Sequence, residues 1–140
     1  MKKLLILLFS ILISLNSFGE TKEHYYSNGQ IWWQSNYKDG KLDGKRTWWY
    51  KSGKIEEETN YKNDKKNGKN TKWYENGRIK EKSNYRNDKM IGKWTSWYEN
   101  GQKEFEANLK NDKLDGSFTF WGEYGSIWLV EYYKNGEQIY

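Results

Sequence analysis

From residue 25 onward, apolar and polar residues alternate in short runs, and each run ends at glycine or at an Asn-Asp pair. Alternation with a period of two marks a strand whose two faces differ in environment. Around residue 77 the pattern is plain. Thr71 and Trp73 precede Glu75-Asn76-Gly77, and Ile79, Ser83 and Tyr85 follow it. Runs rich in Trp, Tyr, Thr and Ile between turn residues predict strands, here Lys69 to Tyr74 and Arg78 to Tyr85. Gly77 supplies the positive φ that other residues resist. If Trp73 and Ile79 share a face, the loop between them holds an odd number of residues, which favours a three-residue type I turn closed by a Gly bulge. Asn87-Asp88-Lys89, running on to Gly92, predicts a longer second turn. No run escapes this punctuation long enough to form a helix.

The layout recurs with a period of 24 residues. Gly29, Gly53, Gly77, Gly101 and Gly125 keep that spacing, as do Trp49, Trp73, Trp97 and Trp121, with Tyr25 in the first slot. Tyr37, Tyr61, Tyr85 and Tyr133 follow it, with Leu109 replacing Tyr, and Gly44, Gly68, Gly92 and Gly116 close the units. Units that cannot bury an apolar face alone stack on their neighbours. The expected fold is all-β: one single-layer antiparallel meander of five hairpin units over residues 20–140. Odd-numbered positions hold the repeated residues, so the odd face is expected to be the packed inner one. The small residue at Ser35, Thr59, Ser83 and Ala107 leaves room there for a tryptophan.

Residues 1–19 break the pattern. Lys2 and Lys3 precede an apolar run from Leu4 to Leu15, and Ser17 and Gly19 are small residues ahead of Glu20. This is the layout of a secretory signal peptide cut before Glu20. The run is too short to span a bilayer, which needs about 20 residues, and the mature chain offers no transmembrane segment. The expected location is exported: periplasmic, outer-surface or secreted.

Composition narrows the chemistry. Aromatics are 19% of the chain while Leu, Ile and Val are scarce after the leader, so Trp and Tyr supply the packing area. With no cysteine and His24 as the one histidine, disulfides, Cys-ligated zinc, a His-rich metal site and a Ser–His–Asp triad are excluded. His24 lies near the mature N-terminus. The formal charge of +5 falls by two without Lys2 and Lys3, a mild excess that makes no nucleic-acid footprint. No nucleophile motif or phosphate loop is present. No enzyme, cofactor or metal is expected.

The motif Trp73-Tyr74-Glu75-Asn76-Gly77, with Tyr85, Lys89 and Gly92-Lys93, resembles the variant MORN (membrane occupation and recognition nexus) repeat, and Trp97-Tyr98-Glu99-Asn100-Gly101 repeats it. The resemblance covers nearly the whole mature chain, though Gly122-Glu123-Tyr124 departs from it. It implies no catalytic residues. It implies protein scaffolding or association with membrane lipid, and it includes bacterial proteins named as antitoxin components.

Asn63-Asp64, Asn87-Asp88 and Asn111-Asp112 suit turns better than calcium, which needs six or more converging oxygens. The recurring tryptophans suit packing better than a sugar-stacking ladder. Lys65, Lys66, Lys80 and Lys82 are interleaved with Glu56, Glu57, Glu58 and Glu81, a mixed-charge surface. One region stands apart. Even positions are charged or polar in the middle units but become Phe118, Phe120, Trp128, Val130 and Tyr132 in the last, while Trp121, Ile127, Leu129 and Tyr133 keep the odd positions apolar. Unless the curl of the sheet or the tail from Lys134 to Tyr140 covers it, a hairpin apolar on both faces at a sheet edge predicts an interaction site. The expected function is a non-catalytic exported scaffold binding a protein or an envelope surface there, or a second copy of itself. An antitoxin or immunity protein and a glycan-binding module are the alternatives.

Overall fold

The computed structural model describes residues 19–140, so the expected leader lies outside the described residues except for Gly19. Twelve strands form one antiparallel sheet: β1 (Glu20–Tyr25), β2 (Ile31–Lys38), β3 (Lys41–Trp49), β4 (Ile55–Lys62), β5 (Lys65–Trp73), β6 (Ile79–Arg86), β7 (Lys89–Met90), β8 (Gly92–Trp97), β9 (Lys103–Lys110), β10 (Lys113–Trp121), β11 (Ile127–Lys134) and β12 (Glu137–Gln138). Strand order follows chain order; β7 and β8 are two pieces of one line, both paired with β6. No helix occurs among the described residues. The expected single-layer meander is the fold.

The Asn-Gly loops are as the odd spacing requires. The Gly77 N–H donates to the Tyr74 carbonyl at 2.9 Å, the Tyr74 N–H donates to the Arg78 carbonyl at 2.8 Å, and Gly77 has φ +88°. The Asn-Asp connections differ from expectation, because they are the tighter of the two turns. Asn87 (φ +48°) and Asp88 (φ +66°) are the sole residues between Arg86 and Lys89, which pair directly. Positive φ at both central residues is the type I′ hairpin signature, whose twist matches that of the flanking strands. β5 therefore begins at Lys65, not Lys69, and Gly68 lies inside the strand rather than closing a unit.

Asp at the second turn position has a further cause. The Asp88 Oδ1 accepts the Lys66 N–H at 2.8 Å, and the Asp88 N–H donates to the Lys66 carbonyl at 3.0 Å. Asp64 does the same with Leu42, and Asp112 with Met90. Each turn thus binds the first strand of the unit before it. Replacing Asp88 with Gly relieves the left-handed backbone but removes a charge-assisted bond of about 1.5–3 kcal/mol. A net loss of about 1 kcal/mol is expected in chemical denaturation; a gain would mean that the backbone term dominates.

The faces also require correction. Asn70 pairs with Ser83 and Gly68 with Tyr85, whereas Thr71 pairs with Lys82. The odd positions of the two strands therefore do not share one face. Trp73 does pair with Ile79, but the register shifts at once between Lys72 and Trp73, leaving Lys80 unpaired and flipping the parity beyond it. We call the face holding Ser83 and Asn70 the serine face, and the one holding Thr71 and Lys82 the threonine face.

Neither face is a hydrophobic core. Ala107, at 0% exposure, is the one fully buried hydrophobe among the described residues. Ser35, Thr59, Ser83 and Asn70 are buried on the serine face, and Thr47 and Thr95 on the threonine face. Trp49, Trp73, Trp97 and Trp121 remain half-buried, not enclosed as expected. In a single layer nothing covers either side, so only small residues beneath larger neighbours lose all contact with water.

Candidate functional site

A column of tyrosines ties successive units along the Asn-Gly loops. The hydroxyls of Tyr26, Tyr50, Tyr74 and Tyr98 donate to the carbonyls of Trp49, Trp73, Trp97 and Trp121 at 2.7–2.8 Å. Burial pushes the Tyr50 and Tyr74 phenols above their ordinary pKa, with nearby glutamates adding to the effect.

Beside this column the serine face changes character along the sheet. At the N-terminal end, Trp32 meets Trp48 edge-on at 5.5 Å, and the Arg46 guanidinium lies 4.5 Å from the Trp48 ring centre and 5.3 Å from that of Trp33. His24 stacks at a tilt on Trp33, 4.8 Å between centres. The middle is polar. The Asn70 Nδ2 donates to Glu57 Oε1 at 2.6 Å and to Thr59 Oγ at 2.7 Å, and the Ser83 hydroxyl donates to Asn70 Oδ1 at 3.2 Å. Lys72 and Glu81 pair at 3.4 Å. The C-terminal end is aromatic again: Trp94 meets Phe105 edge-on at 4.5 Å, Phe105 stacks on Phe118 at 6.0 Å, and Phe120 lies 5.9 Å from Trp128. Gly122 takes the slot of the column tyrosine here. Trp128 lies over it, so that a Cβ at 122 would meet the indole at 2.5 Å.

The five residues expected to form one docking patch are therefore divided. Phe118, Phe120 and Trp128 belong to the serine face, while Val130, opposite Thr119, and Tyr132, opposite Ser117, belong to the threonine face. The cause is the register shift between Phe120 and Trp121, which leaves Trp128 unpaired and turned towards Phe120. Both faces of the hairpin stay open. Ile127 and Trp128 are 62% and 68% exposed, and Val130 and Tyr132 are also exposed. The tail covers part of the edge: Glu137 pairs with Lys134, Gln138 with Tyr133, and the Ile139 N–H donates to the Tyr132 carbonyl at 2.8 Å. Ile127 to Glu131 stay uncovered.

The repeats that lead up to this hairpin are matched by the MORN repeat variant model at residues 21–39, 42–63, 66–87 and 90–111. The chain belongs to the MORN repeat variant family. MORN repeats are non-catalytic modules that bind proteins or membranes. The fifth hairpin keeps the MORN spacing beyond the matched segments. Comparison with curated proteins finds no match.

Sequence reasoning overlooked Trp94, Phe105 and the cluster of Trp32, Trp33, Trp48 and Arg46. Their signal was present in the aromatic residues that replace polar ones at the ends of the MORN array. It became readable only with the parity shift, which brings even positions of one strand onto odd positions of the next. On the threonine face the surface is mixed in charge. Glu106 pairs with Lys93 and Lys103, both at 2.8 Å. The hydrogen bonds from Lys103 and then Lys93 hold its carboxyl below the usual range. A depressed carboxyl stabilises the fold above its unfolded pKa, and that contribution disappears as pH falls through the folded value. Glu106→Gln is expected to cost about 0.5–1 kcal/mol at pH 7. The difference from the wild type should vanish in acid, as followed by urea denaturation across pH.

Proposed function

We propose that this MORN repeat protein is an exported, non-catalytic scaffold that docks another protein through its C-terminal hairpin. The reading rests on one observation: β11 exposes Trp128 and Leu129 on the serine face and Val130 and Tyr132 on the threonine face, beside the half-buried Phe118 and Phe120 of β10 and a strand edge left open from Ile127 to Glu131. A contiguous apolar patch of this kind marks an interaction site, and an open edge offers backbone groups to an added strand. Export is supported by the charged, apolar and small-residue order over residues 1–19. Mass spectrometry of the exported chain should find Glu20 at its N-terminus. The docking test is capture from envelope extract by the wild type and by a Phe120→Lys, Trp128→Lys double variant. A variant that keeps its near-ultraviolet spectrum and loses the captured protein supports the reading; one that keeps both overturns it. Trp128→Lys alone, at a largely exposed position, serves if the double variant unfolds.

A further inference from the structure

β11 bounds the sheet at one end and β1 at the other, apart from the two-residue β12 laid on the far end of β11. These two free edges are complementary halves of one strand. Within the sheet the same strand already exists in two pieces. β7 (Lys89–Met90) corresponds to β12 two periods on, and β8 (Gly92–Trp97) corresponds to β1 three periods back, with the same bounds in each case. The local bonding agrees. The Ile91 N–H donates to the Asn84 carbonyl at 2.9 Å, as the Ile139 N–H donates to the Tyr132 carbonyl at 2.8 Å.

We infer that β11 of one copy takes β1 of a second copy as its next strand, so that the sheet continues head to tail between molecules. The inference rests on the reading of the C-terminal hairpin as the docking element and names its occupant as a second copy of this chain. β6 and β8 supply the register: Glu81 opposite Ser96 and Lys82 opposite Thr95 become Leu129 opposite His24 and Val130 opposite Glu23. The next pair sets Glu131 opposite Lys22 on the serine face, as Ser35 stands opposite Arg46, and these are opposite charges. Tyr132 turns its backbone groups to the tail, so Val130, two residues away, turns its own to the open edge. The Gly40 N–H of the second copy would meet the Gln138 carbonyl, as the Gly136 N–H meets that of Leu114 at 2.8 Å. β12 fills only the slots ahead of β1; Tyr140, whose place coincides with that of Glu20, must turn aside for the incoming strand. Gly122 withholds the tyrosine bond present at every earlier joint, so the contact is weaker than those within the chain and reversible. A joint between two different surfaces repeats without closing on itself unless geometry makes a ring.

The test uses two proline variants of the exported chain. Proline removes an edge N–H while sparing the ladder behind it. Val130→Pro blocks the β11 edge and Glu23→Pro blocks the β1 edge. In sedimentation velocity the wild type should grow beyond a dimer with concentration. Each variant alone should stay monomeric with a native near-ultraviolet spectrum, and their mixture should form one-to-one dimers and nothing larger. If Glu23→Pro assembles like the wild type while Val130→Pro does not, the joint is a symmetric one between two C-terminal edges and the inference is overturned. A wild type that stays monomeric at every concentration also overturns it. In that case, capture of an envelope protein by the wild type but not by Val130→Pro leaves the docking reading standing, and no capture by either removes both.

Discussion

Asn70→Ala is expected to destabilise the sheet by about 2–4 kcal/mol, a large share of a small domain's stability. Asn70 is 1% exposed and its amide reaches three partners. One of them is the Glu57 carboxylate, so one bond is charge-assisted and worth about 1.5–3 kcal/mol. Truncation would also leave the buried Ser83 hydroxyl without its acceptor. The unit has little apolar burial with which to absorb the loss, because Thr59, Asn70 and Ser83 fill the position that Trp94, Ala107 and Phe118 fill further along. Urea denaturation measures the change. A loss well under 1 kcal/mol would show that water replaces the amide at no cost and that the middle of the sheet is held by its backbone alone.

Gly68→Val should be at least as costly, about 3 kcal/mol or more. Gly68 has φ +109° in the interior of β5, where the register shifts between Thr59 and Tyr61. A branched side chain is an outlier at such a φ whatever space surrounds it. Here a Cβ would also meet the Asn60 Cβ at 3.4 Å, and the Asn60 Nδ2 donates to the Lys69 carbonyl at 3.0 Å. Combining the change with Asn60→Gly, which removes that Cβ, and comparing with Asn60→Gly alone separates the two causes. Backbone strain predicts no recovery of the denaturation midpoint in the double variant. Substantial recovery would place the cost in the side-chain contact.

The spacing of Gly77, Trp73 and Tyr85 was enough to read the strands, the odd-length loop and the meander, because a period that never slips leaves few alternatives. The faces were not readable. They depend on one unpaired residue, Lys80, that looks like any other member of an alternating strand, and a slip of one residue exchanges the two faces. The length of the Asn-Asp turns is not legible in the sequence, because the bond that fixes Asp88 runs to Lys66, 22 residues away, which has no local mark. At the C-terminal hairpin the aromatic residues themselves were visible. Their division between faces was not, since Gly122 and Trp128 fit one another only in three dimensions.

The Asp and Tyr bonds described above share a further property. Each joins one fixed slot of a unit to another fixed slot of the adjoining unit, 22 or 23 positions away, and none reaches past it. Excising or duplicating a whole unit therefore leaves every such donor facing an acceptor of the same kind, where losing part of a unit would misalign those that span the cut. The array works as a ruler graded in whole hairpins. A gene of this design can lengthen or shorten its product by unequal crossing-over between repeats, with the end surfaces carried unchanged to a new separation.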